Sequence, residues 1–233
     1  MKLTIDFDKS EIIDLTHSIN SNIPTWEKGC GFENKITHDY SNAVAETQFR
    51  VQSFHMRAGI GTHMDAPAHC IPGGKTIDQI SISDLIKPCV VIDISKKADL
   101  DYLLSVADII AFENKYGKIA PDSLVIVHTG WSCYWTDPAK YRNQLQFPSV
   151  SKDAAEFLLI NHAAGLGIDT LSPDTAKSGF PVHQLLLSSG KIIIENMNNT
   201  DLIRPLGAHV IALPLKVSNA TEAPIRIIAI QDK

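Results

Sequence analysis

The stretch Gly59-Ile60-Gly61-Thr62-His63-Met64-Asp65-Ala66-Pro67-Ala68-His69 gathers two histidines and an aspartate between glycines and a proline. Glycine permits tight turns and proline restricts φ, so we expect a shaped loop here and not a regular element. Wherever that loop is extended, His63 and Asp65 project to the same side, because side chains alternate along extended backbone. Imidazole with carboxylate suits Zn²⁺, Mn²⁺ or Fe²⁺ better than Ca²⁺. The stretch therefore predicts a metal site, with plain hydrogen-bonding histidines as the alternative.

A second pair of candidate ligands lies in the segments Pro181-Val182-His183 and Lys191-Ile192-Ile193-Ile194-Glu195. We predict that His183 lies in the first turn of a short helix and that Glu195 ends an apolar strand. A carboxylate that follows three isoleucines is costly to bury unless a partner neutralises it, and a metal ion is one such partner. The alternative is a strand that reaches the surface at Glu195, where water solvates the carboxylate.

Strand and helix patterns mix along the chain without strict alternation. Runs rich in β-branched residues predict strands at residues 12–15, 48–56, 89–94, 124–128, 192–195, 210–213 and 225–230. Helical patterns occupy residues 105–116, 151–164 and 181–189, and Ser105 and Asp108 form a capping box in the first. The apolar face of the second pattern is predicted to hold Ala154, Phe157, Leu158 and Ile160. This order favours one α/β or α+β domain with mixed sheets, over residues 1–233, rather than a Rossmann fold or a TIM barrel.

The composition is that of an ordinary globular domain. The chain has 233 residues, of which 44% are hydrophobic and 20% charged, so it can bury roughly 70% of its unfolded surface. The net charge is −5 and no block of lysine or arginine occurs, which argues against a nucleic-acid partner. No segment approaches the apolar length of a membrane span, and residues 1–10 lack the apolar run of a signal peptide. We therefore expect a cytoplasmic protein without a membrane partner.

The cysteines are widely spaced and form no Cys-x-x-Cys pair. They are Cys30, Cys70, Cys89 and Cys133. A chain of this length does not need disulfides, so we expect reduced thiols. Cys70 adjoins His69, and we expect it to serve packing rather than nucleophilic catalysis, because no separate histidine and aspartate remain to activate it.

The first stretch resembles the signature of the cyclase family of metal-dependent hydrolases, which reads His-x-Gly-Thr-His-x-Asp-x-Pro-x-His. Bacterial kynurenine formamidases and isatin hydrolases belong to that family. The resemblance extends over nearly the whole chain, through the interval from His183 to Glu195 and through Ile13-Asp14-Leu15-Thr16-His17, Pro24-Thr25-Trp26, Val127-His128-Thr129-Gly130-Trp131, Gly167-Ile168-Asp169-Thr170-Leu171-Ser172, Leu213-Pro214-Leu215-Lys216 and Pro224-Ile225-Arg226. It implies a single-domain swivelling β/β/α fold with a mixed sheet and peripheral helices. It also implies a homodimer or homotetramer, in which N-terminal segments help to complete neighbouring sites.

The resemblance assigns roles residue by residue. It makes His63 and Asp65 ligands of a divalent metal, zinc or manganese, with Asp65 able to bridge two metals, and His183 and Glu195 the remaining ligands of the second metal. It makes His69 the general base. A histidine suits that role because its pKa lies near the operating pH. The implied reaction is hydrolysis, by a metal-activated water, of a C–N bond in a small amide, formamide or lactam. N-formylkynurenine is the leading named substrate type.

One position departs from the family signature. Where the family has its first histidine, this chain has Gly59, so a site built from that histidine, His63 and Asp65 would lack one ligand. We therefore predict one metal per chain. The alternative is that His55, four residues further upstream, compensates and restores a second metal.

Smaller predictions concern the remaining aromatic and histidine residues. Trp26 and Trp131 are candidates for lining a substrate pocket, with a plain core role as the alternative, and Trp26 is also a candidate for a partner's pocket. The other histidines are expected to be satisfied structural residues: His17, His38, His128, His162 and His209.

Two rival functions stay open. One is an ester or lactone hydrolase, or a dehydratase, with the same fold and site. The other is a non-catalytic metal-binding homologue, which the presence of His69 disfavours because a structural metal needs no base.

Overall fold

The computed structural model describes Asp6 and residues 8–42 and 46–233. Most of the residues that argued against a signal peptide, 1–5 and 7, lie outside this described part. Within the described residues, no helix combines the length and the apolar character needed to cross a bilayer.

The described residues form short strands, helices and single 3₁₀ turns. The strands are β1 Ser10–Asp14, β2 Glu33–His38, β3 Val51–His55, β4 His63–Asp65, β5 Ile86–Asp93, β6 Leu103–Leu104, β7 Leu124–His128, β8 Ser149–Val150, β9 Gly165–Ile168, β10 Ile192–Glu195, β11 Ala208–Pro214 and β12 Glu222–Asp232. The α-helices are α1 Val106–Tyr116, α2 Pro138–Arg142, α3 Lys152–Ile160 and α4 Pro181–Ser188. The 3₁₀ turns are Tyr40–Asn42, Pro67–His69, Ile77–Gln79, Ile82–Asp84, Trp131–Tyr134, Asn143–Leu145 and Thr200–Leu202.

The main sheet closes on itself. Its strand order is β1-β12-β11-β5-β7-β9-β10-β4, and β4 pairs in addition with β12. The strands from β12 round to β4 therefore form a barrel, with β1 attached to the outer part of β12. The strands β5, β7, β9 and β10 run parallel, whereas β1, β4, β11 and β12 make antiparallel pairs. The hairpin β2–β3 forms a separate small sheet.

Alternating side chains on the parallel strands divide the core into two layers. On β5, Cys89 and Val91 belong to the cluster that fills the interior of the barrel, to which strands all around the barrel contribute. Val90 and Ile92 belong to a second cluster, which packs the outside of the sheet against α1, α3 and α4. Both faces of these strands are therefore buried, which explains their continuous apolar runs.

The mixed sheet with helices packed outside it confirms the predicted α/β fold class. The strands at 124–128 and 192–195 agree with the predicted bounds, and α1 begins after the predicted Ser105 cap, whose capping box with Asp108 is present. The helix predicted at residues 151–164 is α3, which is shorter and ends at Ile160. Ile160 is 76% exposed, so the prediction that it lies on the apolar face was wrong.

The predicted loop at the glycine-rich stretch was also wrong in part. His63–Asp65 is a strand buried at every position, since it closes the barrel between β10 and β12. Pro67–His69 then forms a 3₁₀ turn. The expectation that His63 and Asp65 share one side of an extended backbone is met, because side chains alternate along β4.

Candidate metal centre

The predicted ligands meet where the barrel closes. β4 supplies His63 and Asp65, and the antiparallel pairing of β4 with β10 sets Glu195 directly opposite His63. His183 is the third residue of α4, as predicted, and reaches the same place from outside the sheet. All four side chains are buried. The sequence separates the pair His63 and Asp65 from the pair His183 and Glu195 by more than a hundred positions, and the barrel closure brings the two pairs together.

The four side chains alternate imidazole and carboxylate around a common centre. The Nε2 of His63 lies 3.7 Å from Asp65 Oδ1 and 3.3 Å from Glu195 Oε2. The Nε2 of His183 lies 3.6 Å from Asp65 Oδ2 and 3.4 Å from Glu195 Oε1. Ligand atoms arranged tetrahedrally at ~2.1 Å from a zinc ion are themselves about 3.4 Å apart. Each Nε2 therefore lies at about ligand spacing from an oxygen of both Asp65 and Glu195, and His63, Asp65 and Glu195 form a group able to hold a cation.

Both imidazole rings are held by their other nitrogen. His63 donates its Nδ1–H to the carbonyl oxygen of Gly61 over 2.9 Å. His183 Nδ1 lies 2.9 Å from Asp174 Oδ2, and Asp174 also accepts the backbone N–H groups of Val182 and His183. In the neutral rings these bonds leave the Nε2 lone pairs facing the carboxylates, the arrangement typical of metal-ligating histidines. Sequence reasoning missed Asp174, since its distance from His183 along the chain matches no ligand spacing.

Three carboxylate oxygens at the centre are buried and lack a hydrogen-bond partner among the described residues. They are both oxygens of Asp65 and Oε1 of Glu195. A buried charge without a partner is strongly destabilising, so this cluster requires positive charge. A divalent cation would supply positive charge to all three of these carboxylate oxygens at once. The residues present therefore fit a bound divalent metal.

The pKa values at the centre report the same demand for positive charge. Burial alone would lower the pKa of His63, but the hydrogen bond to Glu195 and the charge of Asp65 raise it to about 10. Burial would also lower the pKa of His183, yet the hydrogen bond to Asp174 and the nearby carboxylates of Asp65 and Glu195 raise it to about 12. Without a metal, protons on the two rings supply the charge, and a metal must displace them.

His69 lies beside this cluster and not within its centre. It ends the 3₁₀ turn after β4, its side chain is 33% exposed, and its ring centroid is 6.1 Å from that of His183. It can join Asp65 and His183 in a second group able to hold a cation, whereas His63, Asp65 and Glu195 form the first. The predicted base is thus within reach of the site, and its role stays a prediction.

The structure does not bring His55 to the centre. His55 ends β3, is exposed, and pairs with Glu33 in the β2–β3 hairpin. It belongs to neither of the groups of described residues that could hold a cation. Gly59, at the position of the missing ligand, lies against the carboxylate of Glu222.

A cavity of about 460 Å³ opens onto the ligands, a size in the range of small-molecule sites. Trp26 and Phe180 line it, with ring centroids 5.6 Å apart, and Cys70 contributes to its wall while packing against the outer core. Trp131 does not belong to the lining given by the described residues. It is buried in an aromatic cluster and donates its Nε1–H to the carbonyl of Tyr141 over 2.8 Å, which agrees with the alternative of a plain core role.

Other features of the chain lie away from this centre. A wider groove of about 1070 Å³ runs along the β2–β3 hairpin, but none of its described lining residues belongs to a cation-holding group. All four cysteines are free.

His128 bonds Thr200 as a structural residue. His17 departs from expectation, since its buried Nε2 has no partner among the described residues and its ring stacks on Trp135 at 3.9 Å.

Comparison with known proteins places this geometry among hydrolases. A family model described as a putative cyclase matches residues 13–175, which include the His63–His69 stretch. An isatin hydrolase from Roseibium aggregatum is 35% identical over 189 residues, covering 74% of this chain and 72% of the relative. A kynurenine formamidase from Bacillus cereus is 25% identical over 227 residues, covering 94% and 97%.

Solved structures give the same picture. Isatin hydrolase A from Labrenzia aggregata, bound to benzyl benzoate, superposes with a TM-score of 0.87 at 29% identity, covering 96% of this chain and 94% of that one. A potential metal-dependent hydrolase with cyclase activity superposes with a TM-score of 0.75 at 27% identity, covering 96% and 99%.

Proposed function

We propose, because this chain belongs to the cyclase family, that it hydrolyses the C–N bond of a small amide, formamide or lactam. The broader activity, hydrolysis, is common to these relatives, and solved structures of the same fold are described as metal-dependent hydrolases. The narrower choice of an amide draws on two relatives whose names specify an isatin and a formylated kynurenine, both amides carried on an aromatic ring.

One observation carries the proposal. The orphaned carboxylate oxygens of Asp65 and Glu195 face two imidazole Nε2 atoms at the wall of a cavity large enough for a small aromatic molecule. A purely structural polar cluster would satisfy those oxygens internally, since buried polar groups are nearly always hydrogen-bonded. Their position beside a ligand-sized cavity supports a metal that serves chemistry.

We assign one divalent cation, zinc or manganese, to His63, Asp65, His183 and Glu195. Bound there, it would lower the pKa of water in the site and polarise the scissile carbonyl. Each imidazole Nε2 lies within 3.7 Å of an oxygen of both carboxylates, and Gly59 offers no further ligand, which supports a single cation per chain.

The chain's own residues supply the rest of the mechanism. Asp174 and the Gly61 carbonyl hold the His183 and His63 rings in the orientation that presents Nε2. His69, at the edge of the cavity, takes a proton from the attacking water and returns it to the departing nitrogen, a role for which an imidazole is suited. Trp26 and Phe180 bind the flat apolar part of the substrate.

The test is a rate measurement on metal-loaded protein with isatin, an N-formylated aniline and an aromatic lactone of matched size. Hydrolysis of either amide is the expected result. Turnover of the lactone with neither amide would move the function to the ester class. Stoichiometric bound metal with no turnover of any member would identify a non-catalytic homologue.

We also propose that the enzyme is a homodimer or homotetramer in the cytoplasm that works on a small molecule without a nucleic-acid or membrane partner. The β2–β3 hairpin exposes Phe49, Val51 and Phe54, which are 60%, 51% and 60% exposed. An exposed apolar patch of this kind favours association with another copy. The free cysteines support a reducing compartment.

A further inference from the structure

Glu222 occupies the space in front of Gly59. A Cβ built on Gly59 would lie 2.7 Å from Oε2 and 2.9 Å from Cδ of the Glu222 side chain. Gly59 does not have a positive φ, so its backbone would accept another residue. The glycine is therefore needed for the space that Glu222 takes and not for its conformational freedom.

Strand pairing aims Glu222 into the active-site cavity. β12 pairs antiparallel with β4 in a register that sets Glu222 directly opposite Asp65. Residues directly opposite each other in an antiparallel pair extend to the same face of the sheet. Glu222 accordingly lines the same cavity as the ligands, with a side chain only 23% exposed.

The carboxylate of Glu222 meets the ring of His69. Glu222 Oε2 lies 3.3 Å from His69 Nδ1, just beyond the usual hydrogen-bond range, and a small ring rotation closes that gap. Contacts between catalytic groups are often this long before substrate binds. Glu222 lies outside both cation-holding groups, so this geometry couples it to His69 and not to the metal.

We propose that Glu222 is a positioning residue for His69, and that Gly59 is the residue that admits it. The Glu222 carboxylate accepts the Nδ1–H of His69 and so leaves Nε2 unprotonated. Nε2 then takes the proton of the attacking water while the proton on Nδ1 stays in place. This inference rests on the proposed function, in which His69 is the base.

The experiment compares Glu222→Ala, Glu222→Gln, Gly59→Ala and the double variant Gly59→Ala/Glu222→Ala with wild-type holoenzyme. Glu222→Ala is expected to lower kcat about 10–100-fold at unchanged KM and metal content. Glu222→Gln keeps an acceptor oxygen and should lose less. Gly59→Ala pushes the carboxylate aside, so the double variant should lose no more than Glu222→Ala alone, because both changes act on one contact. Asp232→Asn, an exposed charge removal on the same strand, is the control and should leave kcat unchanged.

A spectroscopic readout separates this inference from the proposed function. In zinc-reconstituted protein, the ¹⁵N shifts of His69 should show the Nδ1–H tautomer in the wild type and its loss in Glu222→Ala. That result would support the positioning role even if none of the chosen substrates turned over. An unchanged tautomer and an unchanged kcat would overturn it. Loss of metal from Glu222→Ala would also overturn it, since Glu222 would then be a ligand.

Discussion

His183 and Asp174 are joined twice, once through the imidazole Nδ1 and once through the backbone N–H of His183, both over 2.9 Å to Asp174 Oδ2. The same carboxylate thus fixes the start of α4 and the rotation of the ring that α4 carries. Because the far nitrogen of that ring lies 3.6 Å from Asp65, the helix position and the metal centre depend on one buried acid.

Asp174→Asn should weaken metal binding about 10–100-fold while the fold persists. The neutral amide lacks the negative charge with which Asp174 orients the His183 ring and raises its basicity. Competition with a chromophoric chelator measures the affinity, and Asp153→Asn on the exposed face of α3 is the matched control. An affinity equal to that of the wild type would show that Asp174 serves only the helix.

His69→Ala should reduce kcat by ~10²–10⁴-fold and leave the metal content intact. The reason is that His69 lies at the cavity edge and is not needed to hold the cation in the arrangement of four ligands. Turnover and metal analysis on the same preparation check both parts. Unchanged turnover would remove the base assignment, and lost metal would make His69 a ligand through its group with Asp65 and His183.

The stability of the metal-free protein should fall as pH rises from about 6.5 towards 10. Folding raises the pKa values of His63 and His183 from 6.5 to about 10 and about 12. The protonated rings therefore stabilise the folded protein fully below pH 6.5, and this stabilisation is lost as the pH rises towards the folded pKa values. His17 has the opposite sign, because burial lowers its pKa to about 4 and its unfolded form gains protons below pH 6.5. The thermal midpoint measured in chelator across this range checks the prediction.

The metal should reverse that dependence. It binds the unprotonated rings, so the rise in thermal midpoint on adding zinc should be larger at pH 8.5 than at pH 6. A midpoint of the metal-free protein that stays level between pH 6.5 and 9 would show that the two histidines carry no extra protons in the folded chain.

Trp26 and Trp131 should respond oppositely to substitution. Trp26→Ala removes a cavity wall and should raise KM with little change in stability. Trp131→Phe leaves the buried Tyr141 carbonyl without its donor and should cost about 1–3 kcal/mol of unfolding free energy with KM unchanged. A raised KM in Trp131→Phe would return that residue to the substrate pocket.

Much of the fold and the ligand set could be predicted from the sequence, where the information is local. The run before Glu195 predicted a buried strand because strands covered on both faces read as continuous apolar segments, and the Ser105 cap fixed the start of α1. The ligands were predicted because the motif around His63 resembles the family signature.

The remainder depends on contacts between distant segments. β4 is only three residues long, so nothing local marks it as a strand; its hydrogen bonds come from β10 and β12. Glu222 stands in a polar segment typical of a turn, and only its register opposite Asp65 brings it into the cavity. The sequence left Trp131 open between the substrate pocket and the core, because a tryptophan's packing partners cannot be read from its neighbours in sequence.

The most direct test of the single-cation centre is metal content per chain, measured by elemental analysis on protein purified without chelator, beside a matched preparation of Asp65→Ala. About one equivalent in the wild type, and its loss in the variant, is the predicted result. Two tightly bound equivalents, or none in either sample after reconstitution with zinc or manganese, would contradict it.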